Sequence, residues 1–263
     1  MTHKARKRFG QHFLNDTVLI NETIKRFAPQ SDECIVEIGP GQGALTYPLL
    51  NACTHLHAIE IDRDLVPILQ ERSKKHGQLT VHQQDVLTFD FHAFAQAHTR
   101  LRLIGNLPYN ISSPLLFHLF SALDDIQDMV FMLQKEVADR LCAEPGTKSN
   151  GRLSIMAQYH CQIDHWFTVP PESFDPPPKV DSAIIRLRPR QKGNDFSIID
   201  TADLNTVLLK AFATRRKTLQ NNLKGMFSAE QIIAAGIDPS TRPETLGVAA
   251  YIKLTQLYRE SLS

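Results

Sequence analysis

Five short runs, "CIVEIG" (34–39), "LHAIEI" (56–61), "LTVHQQ" (79–84), "LRLIGN" (101–106) and "DMVFMLQ" (128–134), are rich in apolar β-formers and show little polar alternation. Helical patterns stand between them: "ALTYPLLNAC", "RDLVPILQERSKK", and the weaker "FHAFAQAH" and "SPLLFHLFSAL". A strand without alternation is buried on both faces, so the pattern predicts an α/β fold with a mostly parallel, twisted sheet covered by helices on both sides.

After Lys135 the spacing predicts a helix ("EVADRLCAE"), a loop and a second helix ("LSIMAQYHC"). Two strands follow, "HWFTV" and "SAIIRLRP", joined by the proline-rich "PPESFDPPPKVD", which suits a terminal antiparallel pair. From about Arg190 the pattern is helical only: 201–226, "SAEQIIAAG" and "RPETLGVAAYIKLTQLYRESL". The expected domains are therefore 1–190 and a small all-helical appendage, 191–263. At 263 residues both can bury a core.

Net charge is only +1, so bulk charge indicates no polyanion, but the distribution is uneven. "THKARKRFGQH" carries Lys4, Arg6, Lys7 and Arg8 with no acid before Asp16. "KAFATRRKTLQNNLK" (210–224), inside the helical stretch, holds Lys210, Arg215, Arg216, Lys217 and Lys224 without a carboxylate. Cys34, Cys53, Cys142 and Cys161 are widely spaced with no C-x-x-C, as expected of buried thiols in a reducing compartment. No apolar run reaches the roughly 18 residues of a membrane helix, and the start lacks a signal-peptide core, so the expected location is cytoplasmic.

"VEIGPGQGALT" (36–46) places Gly39, Gly41 and Gly43 where the first strand meets a helix, a backbone able to turn sharply and approach a ligand. The spacing is G-x-G-x-G rather than the G-x-G-x-x-G of dinucleotide binders, which argues against a dehydrogenase. Glu60 ends the second strand 21 residues after Gly39, near the ~20 expected of a carboxylate that takes ribose hydroxyls. Asp85 ends the third, where it could accept from an adenine amino group beside the Val86 amide. Ligands of open parallel sheets bind at the carboxyl ends of strands. The three features together indicate an adenosine-containing cofactor.

The fourth strand ends in Asn106-Leu107-Pro108-Tyr109. An aromatic amine such as adenine N6 is a poor nucleophile because its lone pair is delocalised. Two acceptors aimed at its N–H bonds, the Asn106 side-chain carbonyl and the Leu107 backbone carbonyl, would favour pyramidal nitrogen and stabilise its developing charge. Pro108 stiffens the turn. Tyr109 offers a ring for stacking, about 1–3 kcal/mol per base. Ser113 as N-cap and Pro114 after it would start the next helix.

"RKRFGQHFLND", "EIGPGQGALT", "IEID", "QQDVLTFDF", "GNLPYNISSPLLF" and "FDPPPKVDSAIIRL" resemble the ribosomal RNA adenine N6-dimethyltransferase family. The likeness covers essentially the whole chain and is greatest to the bacterial small-subunit (16S) branch, the kasugamycin-sensitivity methyltransferases. It implies a Rossmann-like class I methyltransferase fold, S-adenosyl-L-methionine as donor, and N6,N6-dimethylation of two adjacent adenosines in the 3′-terminal hairpin loop of 16S rRNA. Gln11, His12 and Leu14 would then close over the methionine end, with Gly39 and Gly41 lining the loop. Glu60 would hold the ribose, Asp85 would read the cofactor adenine, and Asn106 would border both substrates. Phe174 would cover the second face of a target base stacked on Tyr109. Where the family usually has Asn, this chain has His12, harmless if the contact there is main-chain.

The basic residues Arg6, Lys7, Arg8, Arg215, Arg216 and Lys217 would grip phosphates of 16S rRNA, in the small subunit or its precursor. The expected enzyme is a monomer and needs no metal; the one suggestive histidine spacing, His55-x-His57, reads as neighbours on opposite faces of a strand. Two other functions share parts of the pattern. One is the erythromycin-resistance type of 23S rRNA methyltransferase, which resembles the appendage and "RKRFGQHFLND" less. The other is a non-catalytic ribosome-assembly factor, against which the intact Glu60, Asp85 and Asn106–Tyr109 argue.

Overall fold

The computed structural model describes residues 12–98, 100–191 and 196–262. Its strands are β1 (Phe13–Leu14), β2 (Cys34–Ile38), β3 (His55–Glu60), β4 (Gln78–Gln83), β5 (Leu101–Asn106), β6 (Ile126–Gln134), β7 (Cys161–Val169), β8 (Phe174–Asp175) and β9 (Ser182–Pro189). The helices are α1 (Thr17–Phe27), α2 (Thr46–Leu50), α3 (Val66–Ser73), α4 (Phe91–Gln96), α5 (Ser112–Leu119) and α6 (Lys135–Leu141). They continue with α7 (Arg152–His160), α8 (Thr201–Ala211), α9 (Leu219–Leu223), α10 (Ala229–Ala234) and α11 (Val248–Glu260).

One sheet has the order β4-β3-β2-β5-β6-β9-β7. Its β4-to-β6 part is parallel, and β9 joins β6 antiparallel. All five residues of β2 are buried, as a strand covered on both faces requires. The chain order reverses at β2, which has β3 on one side and β5 on the other. Connections from β2 and β5 therefore diverge and open a crevice at their carboxyl ends.

A helix outside the sequence pattern, α1, is capped by Asp16, whose Oδ1 accepts from the Val18 and Leu19 amides at 3.0 and 3.1 Å. Its buried Ile20 and Phe27 join the core that Ile35, Leu49, Leu56, Ile104 and Val130 build. The proline-rich connection is not all loop: β8 pairs with β1, Leu14 opposite Phe174. His55 and His57 are not on opposite faces, because side chains two apart on a strand share a face. Their ring centroids are 4.3 Å apart. Burial, then the neighbouring His55, His82 and His98, hold His57 down to about 4, so its ring is neutral at physiological pH.

The chain forms two compact units. The first runs to Ala138 and resumes over Asp164–Pro189; the second takes Asp139–Ile163 and the chain from Arg190 onward. Residues 139–163, which the sequence pattern left with the sheet, thus group with the C-terminal helices. In the second unit α8 buries Leu204, Val207 and Leu208, and α11 buries Tyr251, whose hydroxyl donates to the Pro243 carbonyl at 2.9 Å. The helical stretch expected over 201–226 is broken. Asn222, buried, accepts from the Thr214 amide at 3.2 Å and donates to the Thr214 carbonyl at 3.1 Å, and Thr218 caps α9. Arg215, Arg216 and Lys217 consequently stand exposed on a turn, not on a helix face. Among the described residues no helix is long and apolar enough to cross a membrane.

Under the sheet, Asp128 is 1% exposed and accepts from Arg102 at 2.8 and 3.0 Å and from Arg186 at 2.9 Å. Removing the shared carboxylate takes the buried partner from both guanidinium groups and leaves Arg102 with Glu33, at 2.7 Å, as its one carboxylate partner among the described residues. Asp128→Ala should therefore lower stability by about 3–5 kcal/mol in urea unfolding. A loss within ~1 kcal/mol, the range of exposed pairs, would show that Glu33 suffices for Arg102 and solvent for Arg186.

Candidate active site

A cavity of about 300 Å3 lies at the reversal point, lined by the turns after β2, β3, β4 and β5. Gly41 there has φ +57, and a Cβ on it would sit 3.2 Å from the Phe13 ring. Free of a side chain, its amide donates to Glu60 Oε2 at 3.2 Å, while Asp62 N donates to Oε1 at 2.8 Å. Glu60 is buried, and burial raises its pKa despite those amide donors. Each oxygen keeps a lone pair for a further donor.

Asp85 stands in the turn two residues beyond the end of β4. Its Oδ1 accepts from the Leu87 amide at 3.0 Å, and the side chain lines the cavity half-buried. Asn106, the last residue of β5, donates from Nδ2 to the His12 carbonyl at 3.0 Å. The Leu107 amide donates to Met132 O at 3.1 Å, and Leu107 is buried. Tyr109 Oη and Ser182 Oγ are 2.7 Å apart, and burial raises the phenol's pKa. The His12 ring stacks on Tyr109, centroids 5.6 Å apart, and its Nδ1 donates to the Pro176 carbonyl at 2.7 Å. Ser113 is not a cap: α5 begins at Ser112, whose hydroxyl donates back to Pro108 O at 3.1 Å.

Gly39, Leu14, Gly41, Glu60, Asp85, Asn106, Leu107, Pro108, Tyr109 and His12 thus all line one cavity. Phe174 does not. It is 2% exposed and packs in the core beside Leu14, its direct partner on the same face of the β1–β8 ribbon. Gln11, Arg6, Lys7 and Arg8 lie outside the described residues. Arg215, Arg216 and Lys217 belong to the second unit, where Arg215 Nη2 donates to the Lys148 carbonyl.

The sequence reading missed Glu37. It lines the cavity, 2% exposed, and accepts from Thr46 Oγ1 at 2.6 Å. Burial pushes its pKa up to about 8, with the Thr46 bond opposing and the nearby Glu60 charge adding. A lone carboxylate inside the otherwise apolar "CIVEIG" was the available signal.

A seven-stranded, mostly parallel sheet with a glycine turn and strand-end carboxylates around one cavity defines a class I methyltransferase. A model of the ribosomal RNA adenine dimethylase family matches residues 2–260, and the chain belongs to that family. It is 52% identical over 257 residues to a ribosomal RNA small subunit methyltransferase A of Alcanivorax borkumensis, covering 98% of this chain and 91% of the relative. A namesake from Nitrosococcus oceani is also 52% identical, over 97% of each chain. Among solved structures, a dimethyladenosine transferase from Plasmodium falciparum superposes with a TM-score of 0.81 at 25% identity, covering 95% of this chain and 98% of that one. The 23S rRNA methyltransferase ErmE shares the fold, TM-score 0.71 at 24% identity, covering 94% and 99%.

A carboxyl group whose pKa is raised on folding stabilises the protein fully below its unfolded pKa and loses that contribution as pH rises through the folded one. For Glu37 the window runs from about 4.5 to about 8. Ligand-free protein should lose urea resistance between pH 5 and 8 more steeply than Glu37→Gln does; parallel profiles would mean the buried carboxyl is not proton-coupled.

Proposed function

We propose that this chain is an S-adenosylmethionine-dependent adenine N6,N6-dimethyltransferase of small-subunit (16S) rRNA. The observation that carries the reading is that the Gly39–Gly41 turn and the Asn106–Tyr109 turn line the same cavity. The relatives' name, ribosomal RNA small subunit methyltransferase A, supports the choice of subunit. The likeness to ErmE supports the fold alone. The target pair of adjacent adenosines, in the 3′-terminal hairpin loop of the rRNA or its precursor, follows the family resemblance; a loop base leaves its stack most cheaply.

The donor set fits the cofactor. Glu60 retains lone pairs at the end of β3 for ribose hydroxyls, and Asp85 keeps Oδ2 beside the Val86 turn for an adenine amino group. His12 and Leu14 border the same space, with Gln11 next in sequence. When bound, S-adenosylmethionine supplies an electrophilic methyl carbon on a positively charged sulfur. Asn106 Nδ2 is committed to the His12 carbonyl, so Oδ1 is the end of the amide left to accept from the target N6–H. Among the described residues nothing donates to the Leu107 carbonyl, the second acceptor. Two oxygens on one exocyclic amine would localise its lone pair and stabilise positive charge as the N–C bond forms and the methyl–sulfur bond breaks, with the thioether leaving and the N6 proton passing to solvent. Tyr109, braced by Ser182 and His12, offers its ring to the base. His12 thereby serves Asn106 through its main chain, while its ring braces Tyr109.

Arg215, Arg216 and Lys217, exposed on their turn, would contact rRNA phosphates, as would Arg6, Lys7 and Arg8. Four free cysteines suit a reducing cytoplasm.

Asn106→Ala should lower methyl transfer by about 10²–10³-fold while S-adenosylmethionine binding persists at least in part. Mass spectrometry of 16S rRNA from cells carrying only that variant should show the two dimethyladenosines missing; their presence at normal level would remove the amide from the chemistry. Replacing Arg215, Arg216 and Lys217 together with Ala should weaken rRNA binding and flatten its log–log salt slope by up to about 3. An unchanged slope would take that turn out of the interface.

A further inference from the structure

Well away from the carboxyl-end cavity, near the amino-terminal ends of β2 and β3, one sheet face carries Cys34, His55, His57 and His82 under α4. Register puts Val36 beside His57, so Cys34, two residues back, projects from the same face as the histidines. Cys34 Sγ, one ring nitrogen of His57 and one of His98 all lie within 4.8 Å of one another. We propose that Cys34, His57 and His98 form a binding site for a borderline divalent ion of the zinc class, with water in the fourth position.

Bonds of about 2.0–2.3 Å to zinc place tetrahedral donors roughly 3.3–3.6 Å apart, a contraction that a tilt of the exposed His98 ring about its Phe94 hydrogen bond can supply. The two imidazoles are already held as ligands need to be. His98 Nδ1 donates to the Phe94 carbonyl at 2.8 Å, which leaves Nε2 as the ring nitrogen with a free lone pair. His57 Nδ1 is 3.3 Å from His82 Nε2; with the proton on Nδ1 the His57 Nε2 lone pair is free as well. This is the outer hydrogen-bonding that fixes ring orientation and tautomer at metal sites. One thiolate with two imidazoles selects zinc over calcium or magnesium, which prefer oxygen. Phe94 and Phe89 pack edge-on against His82, giving the donors an apolar surround. The ion would tie the segment after α4 to β2 and β3. It takes no part in methyl transfer, which the carboxyl-end cavity carries.

The test uses full-length protein without a histidine tag, stripped with a chelator and titrated with Co2+. One equivalent should bind and give a thiolate-to-cobalt charge-transfer band in the near ultraviolet, removed by Zn2+ in competition. Zinc should also raise the melting temperature. Cys34→Ser should lose the band. His98→Ala, at an exposed position where folding is not at stake, should weaken binding by about tenfold or more and cancel the zinc-dependent thermal shift. Absence of the band in the wild type, or equal affinity in wild type and His98→Ala, would overturn the site and leave the cluster as a packed group of aromatic rings.

Discussion

The crevice exists because β2 and β5 pair side by side up to the ends where their connections diverge, and that pairing depends on Gly105. A Cβ there would lie 2.3 Å from the Ile38 carbonyl, closer than any side chain tolerates. Without it the two strands close up in register, Glu37 beside Ile104, and their carboxyl ends reach the same level. The glycine turn after β2 and the Asn106–Tyr109 turn after β5 then face a common space, which is the precondition for any transfer between ligands held by the two turns.

Within that space the polar groups are set by what they are already bonded to. Glu60 is anchored by two backbone amides, one from each neighbouring turn, so its position is fixed before a ligand arrives. Asn106 is oriented by a carbonyl of the N-terminal segment, His12, which is itself held by Pro176 and Tyr109. The β1–β8 ribbon therefore does more than close the fold: it decides which end of the Asn106 amide is presented. Glu37 adds a buried carboxyl whose proton depends on the same low-dielectric surroundings.

The second unit shows a similar division between local signal and distant partner. Its basic run lacks helix breakers, yet Asn222 reaches back to Thr214 and turns the segment between α8 and α9 into an exposed loop. Clustered charge is thereby displayed on a tip rather than spread along a cylinder. The positions of the charges were readable; their presentation depends on one buried amide eight residues away.

Periodicity and composition alone determined the parallel strands β2 to β6, buried except at the β4 edge, the placement of Gly39, Glu60 and Asn106 at strand ends, and the helical character of the C-terminal portion. They could do so because side-chain burial on a strand or helix repeats locally, with a period the sequence displays. Tertiary structure alone decided that Phe174 turns into the core, that His57 meets Cys34 and His98, that 139–163 joins the later helices, and that Glu37 shares a cavity with Glu60. Each of those outcomes depends on register between segments far apart in the chain, and a shift of one residue would send every side chain to the other face. No local pattern records that choice; it is made by which surfaces pack together.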